Sequence, residues 1–362
     1  MEYKCCNHIL GSIDLSFSGF KYCNEVWEGP EYISYKENDA FNKNEERRLK
    51  IIEEMKNGII PERCKECPLL ELKDWKEFDA KIYKITVFNW KHCNAACFYC
   101  SVHSDFNESI KKSDDYDSLP FIKKLIAEGR ITEKSFIAFM GGEPTMLQEF
   151  PEILSLLIKK GCKLEVLTNG IKYEKLISDM LNAHNDNKIC ISLDCGTKET
   201  FKRIKRVDKF DEVINTLKQY IEDTKENSYK VRLKYIVLPN VNDNKKEIDK
   251  FFEVAKSIGI TSVVRSVDHL ESKMNTKNKA IETSVIKAYE YFAQQAKKYN
   301  MTLCEQNWAD AIIENKVYNC RKISTLTKIK ANLHFFFGKK INEERSNIDA
   351  KQIYKDFYRR FT

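Results

Sequence analysis

The 362-residue sequence predicts an α/β chain in which parallel strands alternate with connecting helices, between a cysteine-rich N-terminal region and a basic, mainly helical C-terminal extension. Three observations lead there. Short runs of β-branched and aromatic residues recur between longer segments with apolar residues at three- and four-residue spacing. Six such strand and helix units fit between about residues 76 and 270. Glycines and polar residues gather just after the runs, at the strand ends where α/β barrels place their chemistry.

The first run, Tyr83 to Phe88, leads into the octet CNAACFYC, in which Cys93, Cys97 and Cys100 are spaced C-x3-C-x2-C. Thiolates are the usual ligands of cubic iron-sulfur clusters, and an electron-transfer cubane takes four. Three would leave one iron open, and an open position is what separates catalytic from structural metal sites. The second run, Ser135 to Met140, stops at Gly141-Gly142-Glu143-Pro144. The glycines permit close backbone approach and unusual dihedrals, and Glu143 adds a carboxylate. Leu164 to Leu167 runs into Thr168-Asn169-Gly170. Ile189 to Leu193 runs into Asp194, with Ser192 two residues earlier on the same strand face. A fifth run opens the segment Leu233 to Asp243, and Ile260 to Val267 reads as a sixth strand. The predicted helices are Leu119 to Gly129, Pro151 to Lys160, Tyr173 to Leu181, Asp211 to Asp223 and Lys245 to Ser257.

Through CNAACFYC and GGEP, in this order and separation, the chain resembles the radical S-adenosylmethionine (radical SAM) enzymes over about residues 80 to 270. The resemblance implies a partial (βα)6 TIM-like barrel. It also implies that S-adenosylmethionine chelates the open iron of a 4Fe-4S cluster held by Cys93, Cys97 and Cys100. Cleavage by one electron would then give a 5′-deoxyadenosyl radical that removes a substrate hydrogen. Gly141, Gly142, Glu143, Asn169, Ser192, Asp194, Ile236 and Val237 are the implied cosubstrate contacts, and Asn94 and Tyr99 fit the cluster loop.

Residues 1–75 hold a second cysteine series: Cys5, Cys6, Cys23, Cys64 and Cys67. This region resembles part of the auxiliary-cluster domain called SPASM or, in shorter form, twitch, although that domain normally follows the barrel. The resemblance implies one auxiliary 4Fe-4S cluster on Cys6, Cys23, Cys64 and Cys67, with Cys5 an alternative to Cys6. Tetrahedral zinc suits the same spacing. Between the paired ends, Asn42 to Gly58 reads as a charged helical spacer, and His8 as a polar surface or supporting residue. Cys162, Cys190, Cys304 and Cys320 are isolated and read as small buried apolar residues. Cys195, directly after Asp194, is either a turn filler or a thiol that returns hydrogen to a substrate radical.

The N-terminus lacks the basic segment and apolar stretch of a secretory signal, and no run approaches a membrane span. With C-x2-C spacing, this favours a cytoplasmic protein with metal sites over a disulfide-bonded secreted one. The net charge of +7 is carried by the tail from Tyr318 to Thr362, which has 11 Lys or Arg and 4 Asp or Glu. The tail also carries Phe335, Phe336, Phe337 and Phe361, and reads as a packed helix with a solvated basic face; contact with an acidic ligand or membrane surface is the other reading. No nucleic-acid module is evident. Ser272 to Lys279 marks a boundary, followed by an amphipathic helix from Ala280 to Tyr299 and a helical extension over 271–362.

The expected function is that of an oxidoreductase or maturase-type enzyme acting by hydrogen abstraction from a peptide, for oxidation, crosslinking or epimerisation. The resemblance implies an electron donor such as flavodoxin or ferredoxin. The alternatives are a sugar or small-metabolite dehydrogenase or epimerase and, in another class, a non-catalytic electron carrier or redox sensor.

Overall fold

A computed structural model describes residues 2–23, 32–65, 70–75, 80–100, 102, 116–267 and 283–305. Cys67, Cys320, the expected boundary at Ser272 to Lys279 and the basic aromatic tail lie outside the described residues. The chain forms two compact units. The first comprises Met1–Cys93, Asp105–Val166 and Ala183–Asn187; the second comprises Asn94–Ser104, Leu167–Asn182 and Lys188–Thr362.

In the first unit, β1 (Glu2–Cys5) pairs antiparallel with β5 (Glu71–Asp74). A short helix, α1 (Asn7–Gly11), follows β1. β2 (Ser12–Leu15) then lies parallel to β6 (Ile82–Val87), with Ile13 opposite Ile85 and Leu15 opposite Val87. β3 (Gly19–Lys21) and β4 (Ile33–Ser34) continue antiparallel from β2. On the other side of β6 come β7 (Ile131–Phe139) and β8 (Lys163–Thr168), both parallel. β2 of the cysteine-rich region is therefore joined to the first predicted strand by a ladder of backbone hydrogen bonds.

The expected spacer is α2 (Ala40–Lys56), and it does more than span a distance. Its Phe41, Ile51, Ile52 and Met55 are buried, and its buried Arg48 donates to the Ser12 carbonyl at 2.6 Å. Phe41 packs edge-on against Phe20 and Phe121 at 5.7 and 4.8 Å, Phe20 lies tilted on Phe121 at 5.0 Å, and Tyr35 stacks on Tyr116 at 4.0 Å. Phe121 comes from α3 (Leu119–Ala127), and α4 (Phe150–Lys160) precedes β8.

The second unit repeats the alternation. α5 (Lys175–Ala183) leads to β9 (Lys188–Ser192), then α6 (Lys198–Lys205) and α7 (Phe210–Thr224) to β10 (Val231–Val237). α8 (Lys245–Ser257) leads to β11 (Ser262–Val267), and α9 (Thr283–Lys298) to β12 (Thr302–Glu305). The strands run parallel in the order β12-β11-β10-β9. Tyr235, Phe251, Phe252 and Phe292 fill the space between strands and helices with ring centroids 4.7–5.5 Å apart. The parallel strands and intervening helices are the predicted α/β fold. Short α6 and strands β2 and β12 were not anticipated.

Candidate active site

In the first unit the GGEP turn is built against the chain that leads to Cys93. Gly142 N donates to Trp90 O at 3.0 Å and Glu143 N to His92 O at 2.8 Å. Gly141 has φ +111°, a backbone conformation that side chains disfavour. A Cβ on Gly142 would lie 2.4 Å from the His92 carbonyl oxygen, and one on Gly141 3.0 Å from Phe88 Cα. Only glycines allow this approach. Glu143 is buried, and its carboxylate caps the one-turn 3-10 helix Pro144–Met146 by accepting from Thr145 N at 3.2 Å and Thr145 Oγ1 at 2.9 Å. Its carboxylate thus holds the turn rather than extending from it.

In the second unit the loop carrying Cys97 and Cys100 is laid along the last turn of α6. Ala96 N donates to Lys205 O at 3.0 Å and Phe98 N to Ile204 O at 3.1 Å. Asn94 Oδ1 accepts from Asn169 Nδ2 at 2.6 Å, while Asn169 Oδ1 accepts from Ile171 N at 2.9 Å. Asn169 is therefore tied to the cluster loop, as a residue at the end of β8 can be. Ser192 is half-buried at the end of β9.

Asp194 behaves differently from the expectation of a cofactor-facing carboxylate. It is fully buried and takes a left-handed conformation, φ 62°. Its Oδ1 accepts from Ile236 N at 2.9 Å, and its Oδ2 accepts from Tyr99 Oη at 2.6 Å and from Lys205 Nζ. Lys205 Nζ also donates to Tyr99 Oη at 2.9 Å. Burial pulls the Lys205 ammonium down, but the charge of Asp194, with Cys97 and the hydrogen bond to Asp194, outweighs it and leaves the group above its ordinary value. Burial pushes the Cys97 thiol up, opposed by the field of Lys205. A buried pair of this kind is costly to break, about 3–5 kcal/mol when one partner is removed.

β10 explains which of Ile236 and Val237 can meet a ligand. Burial alternates along the strand: Val231, Leu233, Tyr235 and Val237 are buried, whereas Arg232, Lys234 and Ile236 are half-buried. Val237 is fully buried and belongs to the core, so Ile236 is the open candidate. Asn242, which sequence reasoning passed over, donates to Asp194 O at 2.6 Å and Ile236 O at 2.8 Å, and accepts from Leu238 N at 2.7 Å.

Cys195 is fully buried, and its thiol donates to the Leu193 carbonyl at 3.3 Å. Burial raises its thiol well above the ordinary range. This is the geometry of an inert packing thiol. We expect Cys195→Ala to keep both 5′-deoxyadenosine formation and product identity, as followed by liquid chromatography and mass spectrometry; loss of product with 5′-deoxyadenosine retained would restore the hydrogen-donor role.

Exposure separates the cysteines into two sets. Among the described cysteines, only Cys64, Cys93, Cys97 and Cys100 are partly exposed, and none forms a disulfide. The open thiols of the C-x3-C-x2-C motif fit an iron-sulfur cluster, which needs accessible sulfur donors. Among the described residues no three His, Cys, Asp or Glu side chains converge as on a single ion. In a cubane, by contrast, each thiolate holds a different iron.

Residues 90–252 match the model of the radical SAM superfamily. The chain carries a radical SAM domain. The parallel strands and intervening helices within each unit are of the α/β kind that family uses, and membership of the family implies a 4Fe-4S cluster and S-adenosylmethionine. A protein named "Probable GTP 3′,8-cyclase" from Saccharolobus islandicus is 28% identical over 172 residues, 47% of this chain and 52% of that one. A protein named GTPase Obg from Brachyspira hyodysenteriae is 28% identical over 273 residues, 70% of this chain and 38% of that one. The chain thus spans about half, or less, of the length of these curated relatives. Streptococcus suis SuiB, in a crystal structure with its precursor peptide SuiA, shares the fold with a TM-score of 0.50 at 13% identity, covering 87% of this chain and 75% of that one. No described helix is long and apolar enough to cross a membrane.

Proposed function

We propose that the chain reductively cleaves S-adenosylmethionine and uses the resulting radical to take a hydrogen atom from a peptide substrate, for oxidation, crosslinking or epimerisation. The observation that carries the radical step is the glycine cradle at Gly141 and Gly142, pressed by backbone contact against the segment that ends in Cys93. When bound, the reduced cluster and its cosubstrate supply a 5′-deoxyadenosyl radical. Cys93, Cys97 and Cys100 would hold the cluster and leave one iron open. Gly141 and Gly142 keep a side-chain-free path to the backbone where an amino group could meet carbonyl oxygens. Asn169, Ser192 and Ile236 are the partly open groups at successive strand ends that would orient the rest of the cosubstrate. An external one-electron donor, of the flavodoxin or ferredoxin kind, completes the balance.

The peptide reading is supported by the N-terminal cysteines, through the SPASM or twitch resemblance. Cys5 and Cys6 are buried where β1 meets α1, Cys23 is buried just beyond β3, and Cys64 is partly exposed. Burial, with a smaller contribution from nearby Cys64, pushes the Cys5 thiol up to about 11. Cys5 also stands opposite Glu71 in the β1–β5 ladder, four residues beyond Cys67 in sequence. Cys6, Cys23, Cys64 and Cys67, with Cys5 an alternative to Cys6, would hold one auxiliary cluster. A Cys93/Cys97/Cys100→Ala protein, purified without oxygen, should then retain about four irons, the content of one cubane. Metal analysis that finds zinc and no iron would replace the cluster with a structural zinc site.

A second reading, radical chemistry on a nucleotide or another small metabolite, is favoured by the similarity to the GTP 3′,8-cyclase relatives. The two are separated by 5′-deoxyadenosine formation in the presence of a synthetic peptide library or a panel of nucleoside triphosphates and nucleotide-sugars. Stimulation by peptides alone supports the first reading. Stimulation by a nucleotide alone overturns it.

A further inference from the structure

We infer that Tyr99, Asp194 and Lys205 form a positioning device that fixes the loop bearing Cys97 and Cys100. Tyr99 stands between these cysteines, and its hydroxyl is held from both sides, donating to Asp194 Oδ2 at 2.6 Å and accepting from Lys205 Nζ at 2.9 Å. The two gripping residues lie off the loop and are themselves anchored. Asp194 is locked by Ile236 N at its other carboxylate oxygen and by Asn242 at its carbonyl. Lys205 closes α6, whose final carbonyls take the loop amides of Ala96 and Phe98.

The loop is thus tied at residues 96, 98 and 99 to one surface. Asn94 adds a fourth tie through Asn169. Ala95 is buried and Phe98 meets Tyr99 edge-on at 5.9 Å, so packing holds the loop as well, and the polar ties give its path a direction. An apolar pair would fill the same interior volume without the desolvation cost of two charges. What an apolar pair lacks is a directional hold on a hydroxyl, and the hold here falls between two thiols. Ligand-orienting groups behind a metal site commonly change metal retention about 10–100-fold when removed.

The inference rests on the reading that Cys97 and Cys100 hold a cluster, and its test keeps the two apart. Tyr99→Phe deletes one hydroxyl and leaves the ion pair intact. Lys205→Met combined with Asp194→Asn removes both charges and leaves none unpaired, while Lys205→Arg retains a cation with donors. In full-length, anaerobically reconstituted protein, Tyr99→Phe should release iron to a chelator several-fold faster than wild type. The double variant should release it about tenfold faster or more, and Lys205→Arg should stay near the wild-type rate. Amide exchange at Ala96 and Phe98 should quicken in the first two, with and without iron, while the thermal midpoint of Tyr99→Phe changes little. Unchanged iron release and unchanged exchange at these amides would overturn the inference. So would exchange that rises uniformly across the unit in step with the thermal midpoint, the mark of a merely structural role. If wild-type protein carries no iron that Cys97→Ala removes, the cluster reading fails, and the exchange of Ala96 and Phe98 still decides the role of the triad.

Discussion

Replacing Cys93, Cys97 or Cys100 by Ala, one at a time, should abolish 5′-deoxyadenosine formation in anaerobically reconstituted protein. In the proposed cluster each thiolate would be the sole protein ligand of one iron, so its loss would leave a site with two donors. The effect should be confined to chemistry. All three cysteines are partly exposed on loops, where a small-for-small exchange ordinarily costs within about 0.5 kcal/mol. Circular dichroism and the thermal midpoint of metal-free protein should therefore match wild type. Formation of 5′-deoxyadenosine at the wild-type rate by any of the three would remove these residues from the mechanism.

Gly142→Ala should have the next largest effect, and by a different route. The added methyl would sit 2.4 Å from the His92 carbonyl oxygen and 2.9 Å from the Lys91 carbonyl carbon. Both contacts are to backbone, so the segment ending in Cys93 must move away. The hydrogen bonds from Gly142 N to Trp90 O and from Glu143 N to His92 O would then be strained. Overpacking of this kind costs about 1–3 kcal/mol, and displacing reacting groups by ~1 Å can cost about a hundredfold in rate. The thermal midpoint should fall by about 2–4 °C for each kcal/mol lost. We expect 5′-deoxyadenosine formation to fall about a hundredfold. A Gly142→Ala enzyme with wild-type rate and cosubstrate affinity would show that the cradle plays no part in binding.

The strand and helix alternation was legible because its period is local. Lys245 to Ser257 is α8 to the residue, and the other predicted helices of the barrel region differ by a few residues at their ends. The cysteine triplet and GGEP were legible because their chemistry needs particular residue types at fixed spacing. What escaped depends on partners distant in sequence. β2 reads as a short apolar stretch, and only its pairing with β6 makes it a parallel strand. Lys205 lies in KRIKR, a run that resembles a solvated cationic face. One signal was present: with Phe201 and Ile204 it shares the buried stripe of α6, four residues on from Phe201. Asp194 looked like an open strand-end carboxylate because sequence does not reveal that Tyr99, Lys205 and Ile236 saturate it. Strand side chains alternate, and the burial of Val237 beside half-buried Ile236 follows from that alternation in β10, which is paired with β11.

Cys93, Cys97 and Cys100 are proposed to hold a cluster with one iron open to S-adenosylmethionine. Electron paramagnetic resonance of the reduced, anaerobically reconstituted chain, with and without the cosubstrate, tests it directly. To silence the N-terminal cysteines, the measurement is made in parallel on a Cys6/Cys23/Cys64/Cys67→Ala variant. Both proteins should give a reduced-cluster signal that changes shape and position when S-adenosylmethionine is added. A signal unaltered by saturating cosubstrate, or one that survives in the Cys93/Cys97/Cys100→Ala protein with the same response, would contradict it.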